Sequence, residues 1–202
     1  MRVRRLWRSL TFQSDGSGND GEFALVAFAG LLVFTLFAEC LNRAPALILS
    51  NVNYVKKVAF PLEILPWVAF GAALFHMVIT LCVWLLFYVV LFGVPHAIAV
   101  LLPVVMIPLA LTVMGLMWFL AALGVFLRDV GQIVGIGTAA LMFMSPIFYP
   151  LSALPEKLQT YLYLNPLTLA VEQVRDVLMW DRMPDWSAFG LFMICGVVIA
   201  SL

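Results

Sequence analysis

The sequence predicts an all-α, polytopic helical membrane protein, and three observations predict it. Of the 202 residues, 64% are hydrophobic and only 11% charged, with a mean hydropathy of +1.08. An ordinary soluble domain carries about 25% charged residues. Between Glu63 and Arg128 there is no Asp, Glu, Lys or Arg. A bilayer core of about 30 Å takes roughly 20 helical residues to cross, so that run holds at least two crossings. The few charges sit in short segments that separate apolar stretches. This composition excludes a soluble globular domain and a disordered chain. Basic and acidic residues number 11 each and cancel. Without a basic surplus to neutralise phosphates, nucleic acid is not expected as a partner.

The elements follow in order. Residues 1–22 form an extramembranous segment: Arg2, Arg4, Arg5 and Arg8, then a polar, glycine-rich run from Ser14 to Gly21. No apolar stretch directly follows the arginines, so this is not a signal peptide. A first span covers 23–41, with Glu22 before it and Glu39, Asn42 and Arg43 at its far end. The next segment is mixed. Ile48, Val52, Val55 and Ala59 form one helical stripe, with Asn51, Asn53, Lys56 and Lys57 on other faces. That pattern predicts a short amphipathic helix over 46–60 at a membrane surface. A second span covers 65–92, Gly93 to His96 make a tight turn, and a third span covers 97–127 with Pro103 and Pro108 inside it. Each of these two helices would be about 45 Å long, more than the core thickness, so they must tilt, kink or project.

Arg128 and Asp129 make a minimal polar hairpin into a fourth span, 130–148. Prolines then cluster at 146, 150, 155 and 166. The stretch 150–180 is too polar for a span and too apolar for a free loop. It reads as a pair of short, re-entrant helices, since irregular backbone at membrane depth is tolerated only against protein or a water-filled cavity. The second of the pair starts with Asn165 as N-cap and Pro166 at the first helical position. Its Leu167, Ala170, Val171, Val174 and Val177 make one stripe, and Glu172, Gln173 and Asp176 the other face. A fifth span, 186–202, stops without a polar tail, as if cut in mid-helix.

The inventory of reactive groups is thin. The lysines are Lys56, Lys57 and Lys157, none after a glycine, so the chain has no phosphate-binding G-x-x-x-x-G-K-[ST] loop. Cys40, Cys82 and Cys195 lie far apart in apolar surroundings and read as small apolar helix residues. No metal site is expected from His76 and His96. His76 falls inside a span, where it is either a hydrogen-bonded packing residue or a polar group lining a path. Gly131 and Gly135 form a G-x-x-x-G, with Gly137 nearby, and predict close helix packing.

Identity resides in the polar segments. Asn51-Val-Asn-Tyr-Val-Lys-Lys-Val-Ala-Phe-Pro-Leu-Glu63, Phe126-Leu-Arg-Asp129, Ser145-Pro-Ile-Phe-Tyr-Pro150 and Asn165-Pro166 with Arg175 occur in an order and spacing that resemble the permease subunit of ABC-2 type polysaccharide exporters, the O-antigen and capsule export permeases of Gram-negative bacteria. The resemblance covers roughly residues 20–202. It implies about five spans of a six-span fold, truncated at both ends, in the inner membrane. It also implies a homodimer working with a separate ABC ATPase subunit, a lipid-linked glycan as cargo, contact with membrane lipid, and ATP and Mg bound by the partner and not by this chain. The permease itself would not be an enzyme. Arg2 to Arg8 and the re-entrant pair would then be periplasmic, and 51–60 and Arg128-Asp129 cytoplasmic. A bare count of basic residues by side favours the reverse orientation.

Two sets of candidate residues follow. Asn51, Asn53, Tyr54, Val55, Lys56, Lys57 and Phe60 would form a coupling helix seated in the ATPase, or else a plain interfacial helix held by anionic lipid. Arg128 and Asp129 would be a second ATPase contact, or only a hairpin. Tyr149, Phe148, Phe143 and Trp118 are candidates for a substrate path, since aromatic faces stack on pyranose rings without trapping them. They serve equally as interfacial belts. Arg175 would line the external exit or meet a pyrophosphate, unless it pairs with Glu172 and Asp176 on a wet helix face. The alternatives to glycan export are an ABC-2 permease for another amphiphile, such as teichoic acid, a lipid or a drug, and a non-transporting fragment.

Overall fold

The computed structural model describes residues 19–51, 64–127, 129–147, 162 and 165–201. These residues contain helices and no strand. In order they are α1 (Asn19–Arg43), a 3-10 turn (Ala44–Ala46), α2 (Leu47–Ser50), α3 (Ile64–Phe92), a 3-10 turn (Ala97–Leu101), α4 (Leu102–Phe126), α5 (Val130–Met144), α6 (Pro166–Leu178) and α7 (Trp186–Ser201). Three segments are long and apolar enough to cross a membrane: Gly21–Ser50, Ile64–Phe92 and Ala97–Phe126. α5 and α7 are shorter apolar helices. The protein is therefore a polytopic helical membrane protein.

α1 and α3 run antiparallel. The Trp84 indole N–H on α3 donates to the carbonyl of Leu25 on α1 at 3.0 Å, and near the other end His76 meets Glu39. One end of the molecule therefore gathers Arg43, Ile64, Phe126 and Val130. The opposite end gathers Asn19, Phe92, Met144 and α6. At this second end Gly93 adopts φ +87° and its N–H caps α3 on the carbonyl of Val89, a left-handed stop that glycine takes without steric cost.

α4 is the hub. Pro108 lies inside it without ending it, and the Thr112 hydroxyl donates to the carbonyl of Pro108. Two glycines set how closely α7 approaches. A Cβ on Gly115 would fall 2.7 Å from the backbone of Ile199 and Ala200, and one on Gly196 3.0 Å from the carbonyl of Pro108. Small residues let backbones meet, and in a membrane such packing has to come from dispersion, because lipid tails are as apolar as leucine. The glycine packing expected of α5 is absent among the described residues. Among the described residues, Gly131 and Gly137 have nothing within 4 Å, and Gly135 meets only the Asn42 side chain at 3.9 Å. The spacing was right for a packing motif, but α5 turns those glycines outward.

α6 forms as its pattern predicts. The Asn165 side chain accepts from the Leu167 N–H at 3.0 Å, and Leu167, Ala170, Val171, Val174 and Val177 are all buried. Gln173 and Arg175, expected among the polar positions, are buried as well. α6 is enclosed on more sides than a one-faced amphipathic helix would be, because α1, α4 and the turn after α5 surround it.

Candidate functional site

The coupling segment begins where α1 ends. After Arg43 the chain makes the 3-10 turn and α2, and Asn51 closes α2 with its N–H on the carbonyl of Ile48. Its side-chain amide donates to the carbonyl of Leu47 at 2.8 Å. Asn53, Tyr54, Val55, Lys56, Lys57 and Phe60 lie outside the described residues. Their entry point is well defined. A Cβ on Gly124 would collide with the backbone of Pro45, whose Cα it would meet at 2.7 Å. So the last turns of α4 and the chain leaving α1 touch backbone to backbone. Gly124 is thus a functional candidate the sequence did not single out. Only its partner, distant in sequence, makes it one.

Arg128 also lies outside the described residues. Asp129 is exposed and precedes α5, and its carbonyl accepts from the N–H of Gln132 and Ile133. It sits at the same end of the bundle as Asn51. The Thr138 hydroxyl of α5 donates to the Asn42 side-chain oxygen at 3.2 Å, tying α5 to the α1 exit.

The substrate-path candidates are not gathered into one place. Phe148 and Tyr149 lie outside the described residues. Phe143 is exposed near the end of α5. Trp118 lies on α4 about 12 Å from its Phe126 end and makes an edge contact with Trp67 at 6.2 Å between ring centroids. Its indole N–H has no partner among the described residues. Trp118 and Phe143 therefore sit toward opposite ends.

Arg175 is the most strongly engaged of the candidates. It is only 5% exposed, so the alternative of a wet helix face does not hold for it. Its Nη1 donates to the carbonyl of Pro146 at 2.7 Å, its Nη2 to that of Ile147 at 2.6 Å, and its Nε to that of Val26 at 3.2 Å. Glu172 lies 3.5 Å away. The planar guanidinium suits such a task, because it holds several donors in a fixed fork. The carbonyl on α1 is reachable for a reason written in the sequence. A helical side chain covers the turn N-terminal to its own Cα. Position 29 is alanine and position 30 is glycine, which uncovers the carbonyls of Leu25 and Val26. Trp84 takes the first and Arg175 the second. A Cβ on Gly30 would stand 3.0 Å from the Arg175 Nη2.

At the same end lies an open cleft of about 280 Å³, lined by Glu22, Tyr88, Phe92, Val94, His96 and Met179. The Tyr88 hydroxyl and His96 Nδ1 share a hydrogen bond of 3.1 Å, and Tyr88 stacks on Trp84. Among the described residues no group of three His, Cys, Asp or Glu side chains could hold a metal ion.

Comparison of the sequence with known proteins points to a family. The family model for the ABC-2 type transporter matches residues 6–179. An O-antigen export system permease protein RfbA of Myxococcus xanthus is 27% identical over 169 residues, 83% of this chain and 65% of that protein. Its namesake from Klebsiella pneumoniae is 24% identical over 179 residues, 88% of this chain and 68% of that protein. The chain thus spans about two thirds of the length of these relatives. The multi-pass helical architecture and the family match together place it in the bacterial inner membrane: the chain belongs to the ABC-2 type transporter family.

Proposed function

We propose that this chain is the permease of an ABC exporter that moves lipid-linked polysaccharide, of O-antigen or capsule type, across the inner membrane. A separate ATPase subunit supplies the ATP and Mg chemistry, and two permease copies enclose the path. The observation that carries the reading is the similarity, over more than four fifths of the chain, to proteins named as O-antigen export permeases.

The geometry supports a mechanism for coupling. Residues 46–60 are the seat of the ATPase, with Lys56 and Lys57 as charged contacts and Arg128-Asp129 as a second contact. Their displacement acts first on the chain at Pro45, which lies directly against Gly124. α4 takes up that push and passes it to α7 through the Gly115 and Gly196 contacts. At the opposite end Arg175 locks α6, the turn after α5 and α1 together, so these elements move as a unit. Such rigid-body motion is how a short lever can move whole spans. Tyr149, Phe148, Phe143 and Trp118 then offer ring faces to the sugars.

The test is complementation. Full-length protein with its ATPase restores surface glycan in a strain lacking its own O-antigen permease, and Lys56→Glu with Lys57→Glu lowers both co-purification of the ATPase and its stimulated activity. Restoration of lipid or teichoic acid export in place of glycan overturns the cargo. Unchanged co-purification and activity overturn the coupling seat.

A further inference from the structure

A polar cluster lies beside the α3 span, on a face that lipid cannot suit. Glu39 on α1 accepts from His76 on α3 at 2.8 Å and from Arg43 at 2.8 Å, both on the same oxygen, Oε1. α3 has 29 residues and is about 43 Å long, and His76 lies about 18 Å from its Ile64 end and about 24 Å from its Phe92 end. A hydrocarbon core of about 30 Å, laid anywhere along that length, leaves His76 at least about 5 Å inside it. Yet the His76 side chain is 54% exposed and that of Arg43 47%, while Glu39 is 21% exposed. Among the described residues nothing takes the second oxygen of Glu39 or the Nε2 of His76. Ionisable side chains in spans face the bundle interior, a partner or a water-filled cavity, because exposure to hydrocarbon is costly.

We propose that Glu39, His76 and Arg43 line an aqueous path at the face where α1 and α3 meet, and that the group passing there is the hydroxyl-rich glycan. The set offers a carboxylate acceptor, an imidazole whose two ring nitrogens can hydrogen-bond, and a guanidinium donor. Sugar hydroxyls, which donate and accept by turns, match that mixture. Thr80, one turn along α3 on the same face, adds a hydroxyl, which donates to the carbonyl of His76. The wet face rests on depth and exposure alone. The identity of the cargo rests on the export reading above.

The experiment uses the full-length protein with its ATPase subunit in spheroplasts, with Cys40, Cys82 and Cys195 replaced by alanine or serine. His76→Cys is compared with Val78→Cys, which is 50% exposed at nearly the same depth but on the opposite side of α3. The probe is a charged, membrane-impermeant methanethiosulfonate, which reacts with the thiolate that forms only where water reaches it. His76→Cys should react roughly tenfold faster than Val78→Cys. Thr80→Cys serves as the second wet-face variant should His76→Cys not accumulate. Equal rates overturn the proposal, as does a His76→Cys thiol that resists the reagent and forms a disulfide-linked dimer, which would put a second copy on this face. Surface glycan is measured in the same cells. Fast labelling without glycan export in the parent overturns the cargo and leaves the wet face standing. Normal export with an unreactive His76→Cys does the reverse.

Discussion

α1 and α3 are alike in hydropathy and opposite in situation. Gly21–Ser50, which holds most of α1, and Ile64–Phe92, which is α3, are both apolar enough to cross a membrane, yet 56% of the apolar stretch of the first is buried in the protein and only 17% of that of the second. α1 is surrounded by α3, α5, α6 and the 3-10 turn at its own end, whereas α3 shows most of its circumference outward, from Trp67 to Phe92. The difference lies in small residues and accessible carbonyls. Ala29 and Gly30 let Trp84 and Arg175 reach the α1 backbone from two sides. On α3, Gly71 has no described residue within 4 Å, and the helix presents Phe75, Leu86, Phe87 and Val90 to the surroundings. In a bilayer, hydropathy decides that a helix enters. Packing decides which helix becomes the centre.

Four measurements would break or sharpen that contrast. The largest effect should come from the clamp on α1. Arg175→Ala strands three carbonyls, at a cost on the order of 3 kcal/mol or more. It should lower the unfolding midpoint in detergent and the amount in the membrane, with Arg175→Lys falling between. A wild-type midpoint for Arg175→Ala would mean the clamp does not hold α1. Next comes a matched pair of truncations. Leu32, fully buried on α1, should cost about 2–4 kcal/mol as Leu32→Ala. Leu86, 62% exposed on α3, should cost under about 0.5 kcal/mol as Leu86→Ala. Equal losses would show that another chain covers α3.

Gly124→Ala places a methyl against the Pro45 backbone, an overpacking worth about 1–3 kcal/mol. It should depress ATPase stimulation more than abundance, because the contact lies on the way from the coupling segment to α4. Parallel losses in both would reduce it to a stability site. The smallest effect concerns the start of α7. The Ser187 hydroxyl and the N–H groups of Ser187 and Ala188 bond Asp185 and hold its carboxyl below the usual 3.8. A depressed pKa means that its support for the helix is complete above about pH 3.8 and fades as pH falls through the lower folded value. Amide exchange at Ser187 and Ala188 should rise only in that acid range, and Asp185→Asn should flatten the response. The same acid-dependent rise in Asp185→Asn would exclude this carboxyl as its cause.

Much of the architecture was readable from the chain. The apolar helices follow from the segregation of charge, and α6 follows from Asn165, Pro166 and a five-residue apolar stripe. The relation between helices was not readable. Gly131 and Gly135 have the spacing of a packing motif and face outward, while Gly115, Gly124 and Gly196 carry the contacts. Spans that are apolar all round show no stripe to tell one face from another. The pattern of α6 offered Arg175 as an exit-lining group or as a paired residue on a wet face, with no sign of a buried clamp. Its partners, the carbonyls of Val26, Pro146 and Ile147, are backbone groups with no signature in sequence. Glu39 and His76 each stood out as an ionisable group near or inside a span, but nothing in the sequence paired them.

The sequence by itself determined that this protein lives in a membrane, which segments are apolar enough to cross it, and that its few charges sit in short polar segments between them. Transfer of a side chain into hydrocarbon depends on that side chain, so composition suffices for those conclusions. Only the tertiary structure decided that α1 and α4 form the centre, that Arg175 serves as a clamp and that Glu39 meets His76. Those outcomes depend on distances between backbones that sequence neighbours do not set: a missing Cβ at Gly124, or an uncovered carbonyl at Val26, acquires meaning only from what arrives opposite it.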